Sequence, residues 1–376
     1  MSIVVEDFAP GERVKEFMDV ASPIYATDPA YIAPLRMELK DRLTPGKNPF
    51  WLHGEGRLFI AKRRGRAVGR ASATIDREHL KVHDDGAGFF GFFDTVNDQE
   101  VADALLDACR AWLRAKGMTT MRGPLSLCIN EESGVLIDGF DTPPALSMPH
   151  HREYQHRLIE NAGLEKAKDL LAWKYIAAEP PKRVKRAWDM INELPEVTFR
   201  SVEPKRMREE LDLVLEIFND AWADNWGFVP TTEAEVEQVA KDMKLIIDPR
   251  LAFFAEVNGE VAAMVICLPN LPSLVHDLDG RLFPFGWAKM LWRLKVEKPK
   301  SARLMMLGIK RKFRGMKRYG ALSTAMYAEL AYRGMRHGYE WAELSWTLED
   351  NRAINLGIKA MRGKVYKTYR IYEESL

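Results

Sequence analysis

The sequence predicts an α+β protein in which one structural unit is used twice. Three observations carry that expectation. At 376 residues the chain is longer than a single hydrophobic core usually supports. Each half holds two strand-like runs around a turn, RLFIAKRRGRAVGRASATI at 57–75 and LAFFAEVNGEVAAMVICL at 251–268. Each half then carries an amphipathic helix closed by glycine, at Gly117 and Gly338, with an asparagine 13 residues further on, Asn130 and Asn351.

The elements follow from local pattern. Gly65 and the Asn258-Gly259 pair are turn residues between alternating apolar runs, which is the signature of a hairpin. Val101, Leu105, Ala108 and Trp112 recur on one helical face behind Asn97-Asp98, a capping pair; the matching helix runs from Ala321 through Met326 and Leu330. Each half closes with a helix ending near Gly163 or Gly363 and a last strand, LLAWKY or VYKTYRIYEE. Between the halves, EPPKRVKRAWDMINELPEV has a proline pair, a charge run and a further proline, and reads as a connector with at most one short helix. The expected division is therefore 1–178, a linker at 179–197, and 198–376. From hairpin glycine to helix-closing glycine the first half spans 52 residues and the second 79, so the second carries an insertion, at about 271–301.

Composition narrows the function. A net charge of +1 argues against a dedicated nucleic-acid binder. Cys109, Cys128 and Cys267 lie apart in apolar contexts without CxxC spacing, which suits a reducing compartment. The start, MSIVVEDF, shows no apolar signal core, and no run approaches the roughly 20 apolar residues of a membrane span, so a cytoplasmic protein is expected. His150 and His151 are adjacent, point apart and lack a third ligand at a suitable spacing, so no metal is expected. No GxSxG or phosphate-loop motif occurs.

Charge is concentrated at one place. Arg311, Lys312, Arg314, Lys317 and Arg318 cluster where the run ARLMMLGI gives way to a helical pattern. Either this is a solvated turn, or it holds an anion at a helix N-terminus.

With these residues the second half, from about 197, resembles the GNAT superfamily of acyl-CoA N-acyltransferases. The resemblance lies in the order strand VTFRSV, two helices, hairpin, ARLMMLGI, basic loop, helix, WAELSWTL, helix and terminal strand. It implies two tandem GNAT-like domains, each a mixed, mostly antiparallel twisted sheet flanked by helices. It also implies that the strand before the loop splays from its neighbour and offers Leu307, Gly308 and Ile309 to pantetheine. Arg314, Gly315, Lys317, Arg318 and Gly320 would surround the pyrophosphate, with Asn351 opening the next helix. The family's loop is Arg/Gln-x-x-Gly-x-Gly/Ala. Counted from Arg314, its glycine positions hold Lys317 and Tyr319; counted from Lys317, they hold Gly320 and Leu322. The match is one of place and charge, not of letter. In the first half the same position reads NDQEVADALL, whose acids would repel a pyrophosphate, so that half is not expected to bind CoA.

No permanently bound cofactor is implied; the donor would be acyl-CoA or an acyl-carrier-protein thioester. The chemistry needs proximity, a base and polarisation of the thioester carbonyl. Glu343 in WAELSW is the expected base. The family's usual tyrosine is missing after Asn351, and Tyr366 or Tyr369 is the expected substitute for protonating the leaving thiolate. In the insertion, Trp287, Met290, Leu291 and Leu294 share a helical face fringed by Lys289, Arg293 and Lys295. This reads either as an interfacial membrane helix or as a helix on the domain's own core; Trp346 joins Trp287, Leu291 and Leu294 as candidate lipid contacts.

Two halves of this size, a GRLFPFG insertion and an SWTLEDN to YKTYRIYE ending resemble the bacterial group that includes ceramide synthases. That implies a fatty-acyl donor, a lipid-like amine acceptor such as a sphingoid base, and contact with the inner face of the cytoplasmic membrane. An acetyltransferase or N-acyl amino acid synthase acting on a small amine, and a non-catalytic acyl-CoA sensor, are the alternatives.

Overall fold

The structure, a computed structural model, describes residues 2–376. The chain forms two compact units, Met1–Leu170 with Val275–Met290 and Lys367–Leu376, and Leu171–Leu274 with Leu291–Tyr366. The division differs from the expected one in two ways. The first boundary falls inside a strand rather than at 178. The middle of the insertion and the end of the last strand belong to the first unit, which periodicity along the chain cannot reveal.

The first unit begins with β1 (Val4–Phe8) and the short helices α1 (Val14–Asp19), α2 (Ala21–Tyr25) and α3 (Arg36–Arg42). The hairpin follows as β2 (Gly54–Arg63) and β3 (Arg66–Asp76), then α4 (Arg77–His83), β4 (Ala87–Thr95), α5 (Gln99–Ala115) and β5 (Thr120–Gly123). Next come β6 (Val135–Asp138), α6 (Glu153–Asn161) and the start of β7 (Glu165–Ile176). β1 to β4 pair antiparallel in sequence, β4 and β5 pair parallel around the α5 crossover, and the chain's last strand pairs antiparallel with β5 and β6. Asp98 caps α5, its side chain accepting from the Glu100 N–H at 3.0 Å.

Both faces of this sheet are buried, as the period of two in β2 requires. Phe59 and Ala61 join the cluster under α5 with Leu105, Leu106 and Leu113, while Leu58 and Ile60 join Phe17, Tyr25 and Leu43 beneath the N-terminal helices.

The second unit takes the end of β7, then α7 (Lys182–Asn192), β8 (Val197–Ser201), α8 (Met207–Trp222), α9 (Glu233–Ile246), β9 (Phe253–Val257) and β10 (Glu260–Pro269). After α10 (Pro272–Val275) and α11 (Gly286–Trp292) come β11 (Ser301–Ile309), α12 (Arg311–Arg314), α13 (Leu322–Arg336), β12 (Trp341–Leu348), α14 (Arg352–Ala360) and β13 (Lys364–Ser375), the last strand named above. β8 to β11 pair antiparallel in sequence, and β11 and β12 pair parallel around α13. This is the topology of β1 to β5 repeated, so the duplication is real at the level of the fold.

The segment read as a linker is a packed helix. In α7 Val184 and Ile191 are buried in the second unit's core, and Trp188 Nε1 donates to Glu329 at 2.9 Å. Its charges occupy the outer face, and i, i+4, i+7 spacing turns the apolar residues inward. No helix of the described residues is long and apolar enough to cross a membrane.

Candidate active site

β11 and β12 pair only over four rungs, Ser301↔Trp341, Ala302↔Ala342, Arg303↔Glu343 and Leu304↔Leu344. Beyond Leu304 the two strands part, while β11 stays paired with β10 through Ile309↔Ala263. Leu307, Gly308 and Ile309 therefore turn one backbone edge into the opening of the fork. Gly308 is required there for a local reason: a Cβ would lie 2.4 Å from Trp222 Cζ3 at the end of α8.

At the vertex sits a buried polar group. Glu343 is fully buried and Arg303 is 5% exposed. Their register places them side by side, with Arg303 Nε 4.0 Å from Glu343 Oε1. Arg303 also donates from Nε to Ser345 Oγ at 2.9 Å and from its second nitrogen to the Ser345 carbonyl at 3.2 Å. Ser345 Oγ in turn donates to Glu343 Oε1, and the hydroxyl of Tyr366 donates to Oε2. Both carboxylate oxygens are thus engaged, which is what allows a charge to be held without solvent. Tyr366 is half-buried, so the phenol is the outward member of the pair.

Of the two candidate tyrosines the structure joins only Tyr366 to Glu343. Tyr369 is fully buried in the first unit, its residue opposite Leu136 in the β6 ladder. Trp346 is half-buried on β12. Asn351 caps α14, its side chain accepting from the Ile354 N–H at 3.3 Å. The sequence reading missed Asn355, which is buried and ties Thr347 Oγ1 at 2.8 Å to the Leu348 carbonyl at 3.0 Å, fixing the turn between β12 and α14. A lone asparagine inside a helix gave no signal for that. Arg303 was missed too, since an arginine in an apolar strand run reads as a surface residue.

The basic loop is largely paired within the protein. Arg311 bonds Asp224 at 2.8 Å and the Asp220 carbonyl at 2.9 Å. Lys312 pairs with Glu260 and Arg318 with Glu196. Arg314 spans the carbonyls of Ile309 at 2.7 Å and Ala221 at 2.9 Å. Among the described residues no carboxylate pairs with Lys317, which is exposed. α13 behind it has no side-chain cap at Ala321, and Gly315 faces open space where a Cβ would stand. The uncapped N–H groups of a 15-residue helix, with Lys317 ahead of them, leave a place for an anion at the positive end of the dipole.

The insertion lies at the surface. No residue of α11 is buried, and the chain continues through a π-helical turn, Arg293–Glu297, also without a buried residue. Trp287 and Leu291 are exposed and Leu294 is half-buried, so the helix is not packed on a core of its own. Elsewhere His150 Nε2 lies 3.1 Å from Asp28, and His151 Nδ1 accepts from the Leu136 N–H at 3.2 Å, with burial pushing its pKa down to about 4.

A forked parallel pair followed by an uncapped helix is the donor-side geometry of GNAT proteins, and the whole chain carries that fold twice. A tandem GNAT protein of the clavulanic acid biosynthesis pathway superposes with a TM-score of 0.58 at 12% identity, over 100% of this chain and 98% of that one. The class of fold is thereby defined: the chain is a tandem GNAT-fold protein. The bacterial ceramide synthase of Caulobacter vibrioides is 44% identical over 97% of this chain and 95% of its own length. Protein YghO of Escherichia coli is 36% identical over 99% of this chain and 95% of its own. The chain belongs to the family of the bacterial ceramide synthase. No family model matches it.

Proposed function

We propose that the chain transfers a fatty acyl group from acyl-CoA to the amine of a lipid-like acceptor, a sphingoid base or a close analogue. The observation that carries this reading is the 44% identity, over 97% of the chain, to a protein named for ceramide synthesis. The fork and the exposed aromatic insertion support it, the first for a thioester and the second for lipid substrates.

In this reading the pantetheine arm runs along the free edge of Leu307, Gly308 and Ile309. The pyrophosphate sits at the start of α13 near Gly315, Lys317 and Gly320. Arg314 and Arg318, held by carbonyls and by Glu196, frame the loop, and either reaches phosphate only by exchanging its present partner. Asn351 supports the site by fixing the start of α14.

The ammonium of the acceptor first loses a proton to solvent. The neutral amine then attacks the thioester carbonyl, forming the C–N bond. Glu343 is fully buried, so its proton traffic runs through Tyr366. The phenol oxygen takes a proton from the attacking nitrogen as its own passes to Glu343. When the C–S bond breaks, Tyr366 returns a proton to the thiolate and is refilled from Glu343. Arg303 and Ser345 hold the carboxylate in place. Such a relay is worth roughly 10²–10⁴ in rate. The same reading puts the enzyme at the inner face of the cytoplasmic membrane, where both substrates partition.

The test is purified protein with a panel of acyl-CoA thioesters and sphingoid bases, following thiol release and amide mass. Amide formation with long-chain donors is expected. Turnover with small amines alone would replace the lipid acceptor with an amino-acid-like one; no thiol release with any amine would overturn the reading.

A further inference from the structure

Within the first unit, a cavity of about 620 Å³ opens beside the insertion. Its charged lining is Lys15, Arg36, Arg70 and Arg281 against Asp19 and Asp279. Arg70 is 5% exposed and held by Asp94 at 2.6 and 2.8 Å, so it is a fixed cation at the wall. Arg36 bonds Asp19 at 2.6 Å. The rim is built by the insertion: Gly280 accepts from the Arg36 N–H at 2.9 Å, and its positive φ of 68° brings it so near Pro34 that a Cβ would stand 2.3 Å from the carbonyl oxygen. That turn sets Asp279 and Arg281 at the mouth.

Immediately after Arg281 come Phe283, 75% exposed, Phe285, 80% exposed, and Trp287, 48% exposed. Among the described phenylalanine and tryptophan residues, the only other exposed one is Trp292, a turn further on. Elsewhere in the described chain these side chains are at least half-buried, so the exposure is confined to this segment. Aromatic rings at the tip of a loop, with cations behind them, match the two layers of an anionic bilayer surface.

We propose that residues 281–287 dock on a membrane, with Phe283, Phe285 and Trp287 in the acyl boundary and the adjacent cavity receiving the phosphate of an anionic phospholipid headgroup. Arg70 is matched by Asp94, Arg36 by Asp19, and Arg281 lies 3.8 Å from Asp279, so Lys15 leaves a net excess of one positive charge, which favours an anionic headgroup over a zwitterionic one. The inference deepens the lipid-acceptor reading above and takes its purpose from it, but its evidence is independent of the reaction.

The experiment is flotation of the full chain with phosphatidylcholine vesicles, with and without phosphatidylglycerol. Binding to the anionic vesicles is expected, weakening as salt rises. Phe283→Ser/Phe285→Ser/Trp287→Ser should lower the bound fraction by at least roughly tenfold. Arg281→Gln should lower affinity roughly fivefold. Equal binding to both vesicle types, or full binding by the triple variant, would overturn the proposal. Displacement of the wild-type protein from vesicles by millimolar inorganic phosphate would assign the cavity to free anions instead and overturn the headgroup assignment. Should the triple variant not fold, hydrogen exchange across 281–292 of the wild-type chain decides: slowing on addition of anionic vesicles supports docking, and no change overturns it.

Discussion

The hydroxyl of Tyr366 donates to Oε2 of Glu343, linking β13 to β12 at the vertex where β11 and β12 part. Neither residue has this partner by sequence proximity; they stand 23 positions apart. The pair gives a fully buried carboxylate an outlet to a half-buried phenol, and the proposed chemistry depends on it.

Tyr366→Phe should therefore lower kcat by roughly 10²–10³ with little change in KM for the thioester, and Glu343→Gln should do the same. The double variant should lose no more than the worse single one, because the two residues act as one relay. Steady-state kinetics on the four proteins checks this. Additive losses, or kcat unchanged in Tyr366→Phe, would break the link between them.

Lys317→Glu should raise KM for acyl-CoA several-fold while sparing kcat, and the effect should grow as salt is lowered. Arg311 and Lys312, already paired with Asp224 and Glu260, should tolerate Gln substitution with smaller changes. Equal responses at all three positions would mean that ion pairing inside the loop does not sort the cations.

Gly308→Ala places a Cβ 2.4 Å from the Trp222 ring. We expect a loss of about 1–3 kcal/mol on urea unfolding, typical of overpacking. In a Trp222→Ala background the same change should cost much less, since the clashing ring is gone; such non-additivity is the mark of direct contact.

His151 supplies a pH dependence. Burial holds its folded pKa near 4, below the ordinary 6.5, because the ring is desolvated. The unfolded chain thus binds a proton below pH 6.5 that the folded chain refuses. The contribution is complete above about pH 6.5 and is lost as pH falls toward 4, roughly 3 kcal/mol in all. His151→Gln keeps an acceptor for the Leu136 N–H and should show a shallower acid limb in pH-dependent melts, even if its stability at neutral pH is lower.

What the sequence determined is the order and type of the elements, and with them the duplication. Hairpin glycines, helix-closing glycines and alternating apolar residues are local signals, and β2, α5, β10 and α13 obey them because each side chain's face follows from its own period. Glu343 and the edge of Leu307 to Ile309 came into view through the resemblance to GNAT proteins, which implies a splayed strand before the basic loop. Tertiary structure decided the rest. It made α7 part of a core, chose Tyr366 over Tyr369 for Glu343, and supplied Arg303 and Ser345 as the carboxylate's neighbours. It also gave three of the five loop cations carboxylate partners, Asp224, Glu260 and Glu196, from 52 to 122 residues away, and it assigned Val275–Met290 to the first unit. The physical reason is the same in each case. Periodicity says which face a side chain takes, but a buried charge is stabilised by whichever partner the packed chain brings within hydrogen-bond reach, and that partner's position in the sequence is arbitrary.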